Sequence, residues 1–148
     1  MHKEAVVVPR GGAESLDVMG AKVSYLCPAQ ATGKAWSLIE VTVPKDSGPP
    51  PHEHPWDEAY YVLEGSARFQ VGDRHLVVHQ GDFLYAPGGT VHAFQGTSEQ
   101  PARLLIFDAP AAAEAFFRDA AAEIRELPRD LPKVAEIGAR HQLRFVAA

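Results

Sequence analysis

Alternating apolar and polar residues predict that the first two thirds of the chain form short β-strands. Ile39, Val41 and Val43 recur at a period of two and would share one buried face. Turns rich in glycine and proline separate similar segments further along the chain. The other predicted strands are 59–63, 66–71, 74–79, 83–86, 91–95 and 103–107. About eight short strands at this spacing are typical of an antiparallel sandwich or barrel.

The hydrophobic pattern changes to a helical period in the last third of the chain. Residues 110–127 are rich in alanine and glutamate and predict an amphipathic helix. Its apolar positions at helical spacing are Phe116, Ala120, Ile124 and Leu127. A second, shorter helix is predicted over 131–139, with Asp130 as its N-cap. The chain therefore combines an all-β body with one or two C-terminal helices.

Length and charge narrow the classes of protein and partner that fit this pattern. The 148 residues are the size of one domain, which we expect to span 1–148. Within it we expect N-terminal strands in 1–35, a central β region in 36–109 and a helical extension in 110–148. The net charge is −5 and the basic residues are scattered, which disfavours nucleic-acid binding.

The cysteine content and the absence of long apolar runs indicate in which cellular compartment the protein is expected. Cys27 is the single cysteine, so no intramolecular disulfide can form, and we read it as a small buried residue. The first residues lack the apolar run of a secretion signal. No stretch approaches the ~20 apolar residues that cross a membrane. We therefore expect a cytoplasmic protein with no membrane partner.

Three histidines and one glutamate are candidates for a metal site. Alternate side chains of an extended chain point to the same face, so His52 and His54 would point together. Glu58 shares their parity after a turn, and His92 follows a sharp turn at 87–89. Neutral imidazoles and a carboxylate are natural ligands of first-row divalent metals. An isolated histidine in a strand, such as His75, is more often a hydrogen-bonded residue without a metal.

The spacing of these residues forms a longer pattern in two parts. The first part reads His52-x-His54-x3-Glu58-x6-Gly65, and the second reads Gly81-x5-Pro87-x-Gly89-x2-His92. Over about 36–107 the chain resembles the cupin superfamily, whose two motifs have this form. The resemblance implies an antiparallel, jelly-roll-like β-barrel, a double-stranded β-helix. It also implies one divalent transition metal (Fe, Ni, Co, Mn, Cu or Zn), bound by His52, His54, Glu58 and His92.

Residues around the first motif and after the last strand resemble one branch of these proteins. The run from Pro51 to Gly65, followed by Phe107-Asp-Ala-Pro110 and Phe116-Phe117, is similar to single-domain quercetin 2,3-dioxygenase-like cupins. That resemblance implies a metal-dependent dioxygenase acting on a flavonol-like or other aromatic or enolic small molecule. Glu58 would serve as its catalytic base.

Two other functions are compatible with the same residues, because these ligands serve different chemistries. The first is a redox-neutral enzyme, such as a polyketide cyclase or an isomerase. The second is a cupin that binds a small molecule without catalysis. Oxygen consumption would distinguish the dioxygenase, and product formation without oxygen would distinguish the redox-neutral enzyme.

Aromatic residues near the predicted ligands suggest the substrate pocket. Tyr60 shares the face of Glu58, and Phe94 shares the face of His92. With Phe83 and Trp56 they form our candidate pocket, which suits a flat apolar ring better than a sugar or a small acid. Barrels of this kind often pair through edge strands. The apolar segment 6–8 is a candidate edge, so we expect a homodimer.

Overall fold

The computed structural model describes residues 3–146 as two antiparallel β-sheets and two α-helices. The strands are β1 (Glu14–Val18), β2 (Ala21–Cys27), β3 (Ser37–Val43), β4 (His52–Glu53), β5 (Asp57–Glu64), β6 (Ser66–Val71), β7 (Arg74–His79), β8 (Phe83–Ala86), β9 (His92–Gly96), β10 (Ala102–Ala109) and β11 (Arg144–Phe145). The helices are α1 (Ala113–Glu123) and α2 (Lys133–Arg140), and a short 3-10 helix spans Ala29–Thr32. The outermost positions of the expected domain, 1–2 and 147–148, lie outside the described residues.

Each sheet contains strands that are distant in sequence. The larger sheet has the order β1-β2-β3-β10-β5-β8, and the smaller has the order β11-β4-β9-β6-β7. Within residues 3–146 a single isolated bridge, between Lys45 and Gly96, lies outside the named strands. The sheets are not closed on each other, so the antiparallel β architecture is confirmed while a closed barrel is not.

The core lies between the two sheets, as the period-two pattern predicts. Ile39, Val41 and Val43 of β3 are all buried. From the smaller sheet, Phe69 and Ala67 are fully enclosed. Because alternate residues of each strand face inward, both sheets present a continuous apolar face, and burial of these faces stabilises the fold.

Helix α1 begins where a strand residue caps it. Asp108 of β10 accepts hydrogen bonds from the backbone N–H groups of Ala112 and Ala113, at 3.0 and 2.9 Å. These are donors that the start of a helix leaves without an intrahelical partner. Phe116 of this helix packs into the core, but the helix ends at Glu123. Leu127, predicted on its buried face, is instead half exposed.

Two further predictions about the chain ends are wrong. Asp130 does not cap α2, where Pro132 occupies the N-cap position. Its buried carboxylate accepts from the backbone N–H groups of Arg125 and Glu126 in the preceding turn. Residues 6–8 form no strand, and the first strand, β1, begins at Glu14. Neither helix within residues 3–146 has the length and apolar character needed to cross a membrane.

Candidate metal centre

The three predicted histidines converge at one place in the smaller sheet. His52 and His92 are direct cross-strand partners in the pairing of β4 with β9, and their ring centroids lie 4.2 Å apart. The ring of His54, two residues further on, lies 4.8 Å from that of His92. Each ring offers one nitrogen, and these three nitrogens all lie within 4.8 Å of one another. Strand register therefore assembles a buried cluster of three imidazoles.

Backbone carbonyls hold each ring in one tautomer. Every Nδ1 lies within hydrogen-bond distance of the carbonyl oxygen of a residue two positions away. The pairs are His52 with Pro50 at 2.9 Å, His54 with Trp56 at 3.0 Å and His92 with Thr90 at 2.8 Å. A carbonyl oxygen only accepts, so Nδ1 carries the proton, and Nε2 of the neutral ring keeps a free lone pair.

The Nε2 atoms of His54 and His92 are buried without any hydrogen-bond partner. Buried polar atoms are nearly always satisfied, so two such nitrogens in one cluster require an explanation. A bound metal ion supplies one, because imidazole Nε2 is a common ligand of divalent transition metals. The donor set therefore fits a metal held by three histidines.

Burial keeps two of these rings neutral, as metal binding requires. The enclosed position of His52, together with the nearby ring of His92, lowers the pKa of His52 from 6.5 to about 4. Burial also lowers the pKa of His92. Both changes follow from the cost of placing a charge where water cannot reach it.

Glu58 approaches the histidines from the facing sheet. On β5, its Oε1 lies 2.8 Å from Nε2 of His54, without hydrogen-bonding geometry, and its Oε2 lies 3.9 Å from Nε2 of His92. Tyr60 donates its hydroxyl to Oε2 at 2.6 Å, and Trp56 donates its indole N–H to Oε1 at 3.3 Å. The carboxylate is therefore oriented by two buried donors on its own strand and the turn before it.

The charge state of Glu58 follows from these contacts. Burial alone would raise the pKa of this carboxyl group. The rings of His54 and His92 and the hydroxyl of Tyr60 outweigh burial, and the pKa falls below its usual range. At neutral pH Glu58 is therefore an ionised acceptor beside the imidazole cluster.

The glycines of the second motif let its turn lie against the first motif. Gly89 donates its backbone N–H to the carbonyl oxygen of His54 at 2.8 Å, and Gly88 donates to the carboxylate of Asp57 at 2.8 Å. A Cβ at position 88 would overlap the carbonyl group of Pro55. Gly89 has a φ of 84°, where glycine is favoured. The turn thus fixes the loop that carries His54.

Three of the four predicted pocket residues lie beside or behind this cluster. Trp56 stacks on the ring of His54 at 3.9 Å, and Tyr60 lies 5.9 Å from Phe94. All three are buried. Phe83 is different: it is 66% exposed and faces outward opposite Tyr61 on β5. Because Leu84 and Ala86 turn inward on β8, Phe83 points away from the site, and its placement in the pocket is wrong.

A cleft of about 610 Å³ adjoins His54. His54 forms part of its wall, which is otherwise mostly apolar. The other residues that line it are Glu53, Pro55, Gly89, Ala135, Ala139, Gln142, Leu143, Arg144 and Phe145. None of the four residues predicted for the pocket is among them. This volume falls in the range of ~300–1,000 Å³ that is typical of small-molecule sites.

The short strand β11 covers the first histidine, and sequence reasoning missed it. Arg144 and Phe145 pair with Glu53 and His52, and the ring of Phe145 lies 6.0 Å from that of His52. Arg144 also forms an ion pair with Glu53. Two residues are too few to show a strand period, so no sequence pattern predicts this contact.

Comparisons with known proteins agree with this architecture. Residues 39–108 match the family model described as Cupin domain. An uncharacterised protein of Streptomyces coelicolor is 37% identical over 57 residues, which are 38% of this chain and 54% of that protein. The matching segment thus spans about half the length of that relative.

Solved structures with the same fold include an enzyme. The polyketide cyclase RemF from Streptomyces resistomycificus is 25% identical, with a TM-score of 0.63, over 72% of this chain and 80% of that chain. An RmlC-like cupin from Shewanella frigidimarina is 19% identical, with a TM-score of 0.65, over 77% and 98% of the two chains. The second likeness concerns the fold alone. The quercetin dioxygenase-like branch is not confirmed. The family match supports a cupin domain over residues 39–108, and the solved structures show a similar fold.

Proposed function

We propose that this chain is a metal-dependent enzyme that removes a proton from an enolic or phenolic small molecule. The observation that carries this proposal is the position of the Glu58 carboxylate, 2.8 Å from a buried imidazole nitrogen that has no hydrogen-bond partner. An ionised acceptor beside nitrogens that could hold a metal is an arrangement suited to general-base chemistry.

In this proposal the three histidines hold the metal and Glu58 acts as the base. A divalent transition metal held by His52, His54 and His92 would lower the pKa of a substrate hydroxyl group. Glu58 then accepts the hydroxyl proton on its Oε1 oxygen, which faces His54. Its other oxygen already accepts the Tyr60 hydroxyl group, so the carboxylate keeps its orientation while it takes up the proton.

The cleft beside His54 is the proposed substrate site. Its wall combines small apolar side chains of α2 with the ring of Phe145, which suits a flat and largely apolar molecule. The buried ring of Trp56 stacks on the ring of His54, which is one of the residues that line the cleft. Neither Glu58 nor the other two histidines line this cleft, so the proposal requires the substrate hydroxyl group to pass His54 to reach the carboxylate.

Deprotonation of an enol or phenol can lead to two reactions. One is oxidation by O₂, as in the dioxygenase that the sequence resemblance suggests. The other is a redox-neutral ring closure, and the 25% identity to a polyketide cyclase is the specific observation in its favour. In both cases Glu58 has the same role, so the proposal concerns the proton transfer and the substrate class that the two reactions share.

The test begins with elemental analysis of protein purified without added metal, followed by loading with single divalent metals. Loaded protein is then given a panel of flavonols and of linear polyketide-type enols, with and without oxygen. Oxygen uptake supports the dioxygenase, and a cyclised product formed without oxygen supports the redox-neutral enzyme. Failure of every metal and substrate class to give product would overturn the proposal.

A matched pair of variants tests the role of Glu58. Glu58→Gln should bind metal with little loss but turn over at least about 100-fold more slowly, because an amide cannot accept the proton. Glu64→Gln changes an exposed glutamate at the end of the same strand and should match the wild-type rate. Equal rates for Glu58→Gln and the wild type would refute a base at this position.

A further inference from the structure

We propose that a groove on the outer face of the smaller sheet binds a small carboxylate with an apolar body. The groove has a volume of about 330 Å³ and is lined by residues of β6, β7 and β9 and by the proline loop, residues 49–51. It shares no lining residue with the cleft beside His54, so this inference does not depend on the proposed function. Its volume falls within the range that is typical of small-molecule sites.

Arg68 supplies the positive charge of this groove. It lies on β6 between Ala67 and Phe69, which face the core, so its own side chain is exposed on the outer face. Five arginines elsewhere in residues 3–146 are paired with carboxylates, whereas Arg68 has no such partner there. No acidic residue of the described part of the chain lines the groove. Because a guanidinium group binds a carboxylate through two parallel hydrogen bonds, the free charge favours that anion.

Strand register places two glutamines and a histidine around this arginine. Gln95 of β9 is the direct cross-strand partner of Arg68, and Gln70 lies two positions along β6 on the same face. His75 of β7 is in turn the cross-strand partner of Gln70. Each glutamine donates one amide hydrogen to a backbone carbonyl group, at 3.0 Å for Gln95 and 3.3 Å for Gln70. Both amides are thereby held in place, and each keeps a second N–H that can donate to an anion beside Arg68.

The rest of the groove is apolar and preformed. Ala93 lies across from Gln70, and its small side chain leaves the space that a larger residue would fill. The rings of the proline loop fix the backbone of the opposite wall. The loop is held close to β9, since a Cβ at Gly48 would overlap the carbonyl group of Phe94. A rigid apolar wall beside a single positive charge suits one carboxylate on an apolar body better than a doubly charged phosphate.

Two-dimensional proton–nitrogen NMR of the full chain tests this site. The protein is first treated with a chelator, because a bound metal would itself attract a carboxylate. Titration with benzoate up to about 20 mM should shift the backbone amide signals of Gln70, Ala93 and Gln95 until they saturate. Benzamide has the same shape without the charge, and inorganic phosphate lacks the apolar body. Each of these two should bind at least about tenfold more weakly than benzoate.

Two variants and a matched control test the residues that form the groove. Arg68→Gln removes the charge and should weaken benzoate binding about tenfold or more. Ala93→Leu keeps the charge but fills the groove, and it should weaken binding by at least about the same factor. The control Arg74→Gln removes an exposed charge of β7 that does not line the groove, so it should bind benzoate as the wild type does.

The results that would overturn the proposal are distinct from one another. If benzoate leaves the three amide signals unmoved, the groove binds no carboxylate. If benzamide or phosphate binds as tightly as benzoate, the charge or the apolar wall plays no part. Wild-type affinity in Arg68→Gln, or an equal loss in Arg74→Gln, would mean that the arginine of the groove is not the anchor. The same spectra show whether each variant is folded, and if Arg68→Gln is not, wild-type affinity in Ala93→Leu would equally contradict the proposal.

Discussion

Acid should destabilise the metal-free protein through His52, because its ring is enclosed and tolerates a charge poorly. Its pKa is about 4 in the folded protein, against an ordinary value of 6.5. The unfolded chain therefore binds a proton more readily than the folded one. The stability associated with the neutral ring is complete above pH 6.5 and is lost progressively as the pH falls toward 4.

The size of this loss follows from the shift in pKa. Each unit corresponds to about 1.4 kcal/mol, so the drop from 6.5 to about 4 amounts to about 3 kcal/mol. That is a large part of the 5–15 kcal/mol by which domains are typically stable. The metal-free protein should therefore be clearly less stable in mild acid than at neutral pH, whereas bound metal would offset this loss by favouring the folded state.

Urea unfolding in the presence of a chelator, repeated from neutral pH down to 4, measures the effect. His52→Gln removes the titrating ring and cannot take up a proton, so its stability should fall less in acid. His92 titrates in both proteins, and the difference between them isolates His52. His75→Gln, an exposed substitution on β7, is the control for replacing an imidazole. Equal losses in the wild type and His52→Gln would refute the reasoning.

Three other substitutions test separate parts of the site. His92→Ala should abolish stoichiometric metal binding while far-UV circular dichroism stays unchanged. Strand β9 is held by its pairing with neighbouring strands and by apolar packing, not by the His92 ring. Unfolding of this variant would contradict this expectation. Tyr60→Phe should retain metal but move the acid limb of the pH–rate profile to higher pH. In the wild type the Tyr60 hydroxyl group lowers the pKa of Glu58, so its removal should raise that pKa. An acid limb at the wild-type pH would show that this hydrogen bond is unimportant. Asp108→Ala should reduce the free energy of unfolding by about 2 kcal/mol in urea titrations, because α1 loses its cap. A change below about 0.5 kcal/mol would contradict the capping role.

The features predicted best from the sequence are those that depend only on the period-two alternation of a strand, which determines the face on which each side chain lies. The alternation in β3 placed Ile39, Val41 and Val43 in the core. The same reasoning put His52 and His54 on one face, and the turn at 87–89 brought His92 beside them. These predictions succeed because side-chain direction in a strand depends only on parity, and a turn with glycine has few alternatives.

Features that depend on long-range partners could not be predicted in this way. Phe83 lies on a strand of four residues, where the alternation is too short to show which face is buried. Asp108 caps a helix from a neighbouring strand, so no residue at the predicted helix start reveals it. The apolar segment 6–8 has strand propensity but is not paired with any strand of the described residues. Propensity alone does not form a strand without a hydrogen-bonded neighbour.

Strand β11 makes the histidine cluster depend on a segment far along the chain. Glu53 and Arg144 are 91 positions apart, so His52 gains its outer neighbour only after the residues up to Phe145 have been synthesised. Until then the imidazoles are reachable from the side that β11 later covers, and metal could enter without displacing it.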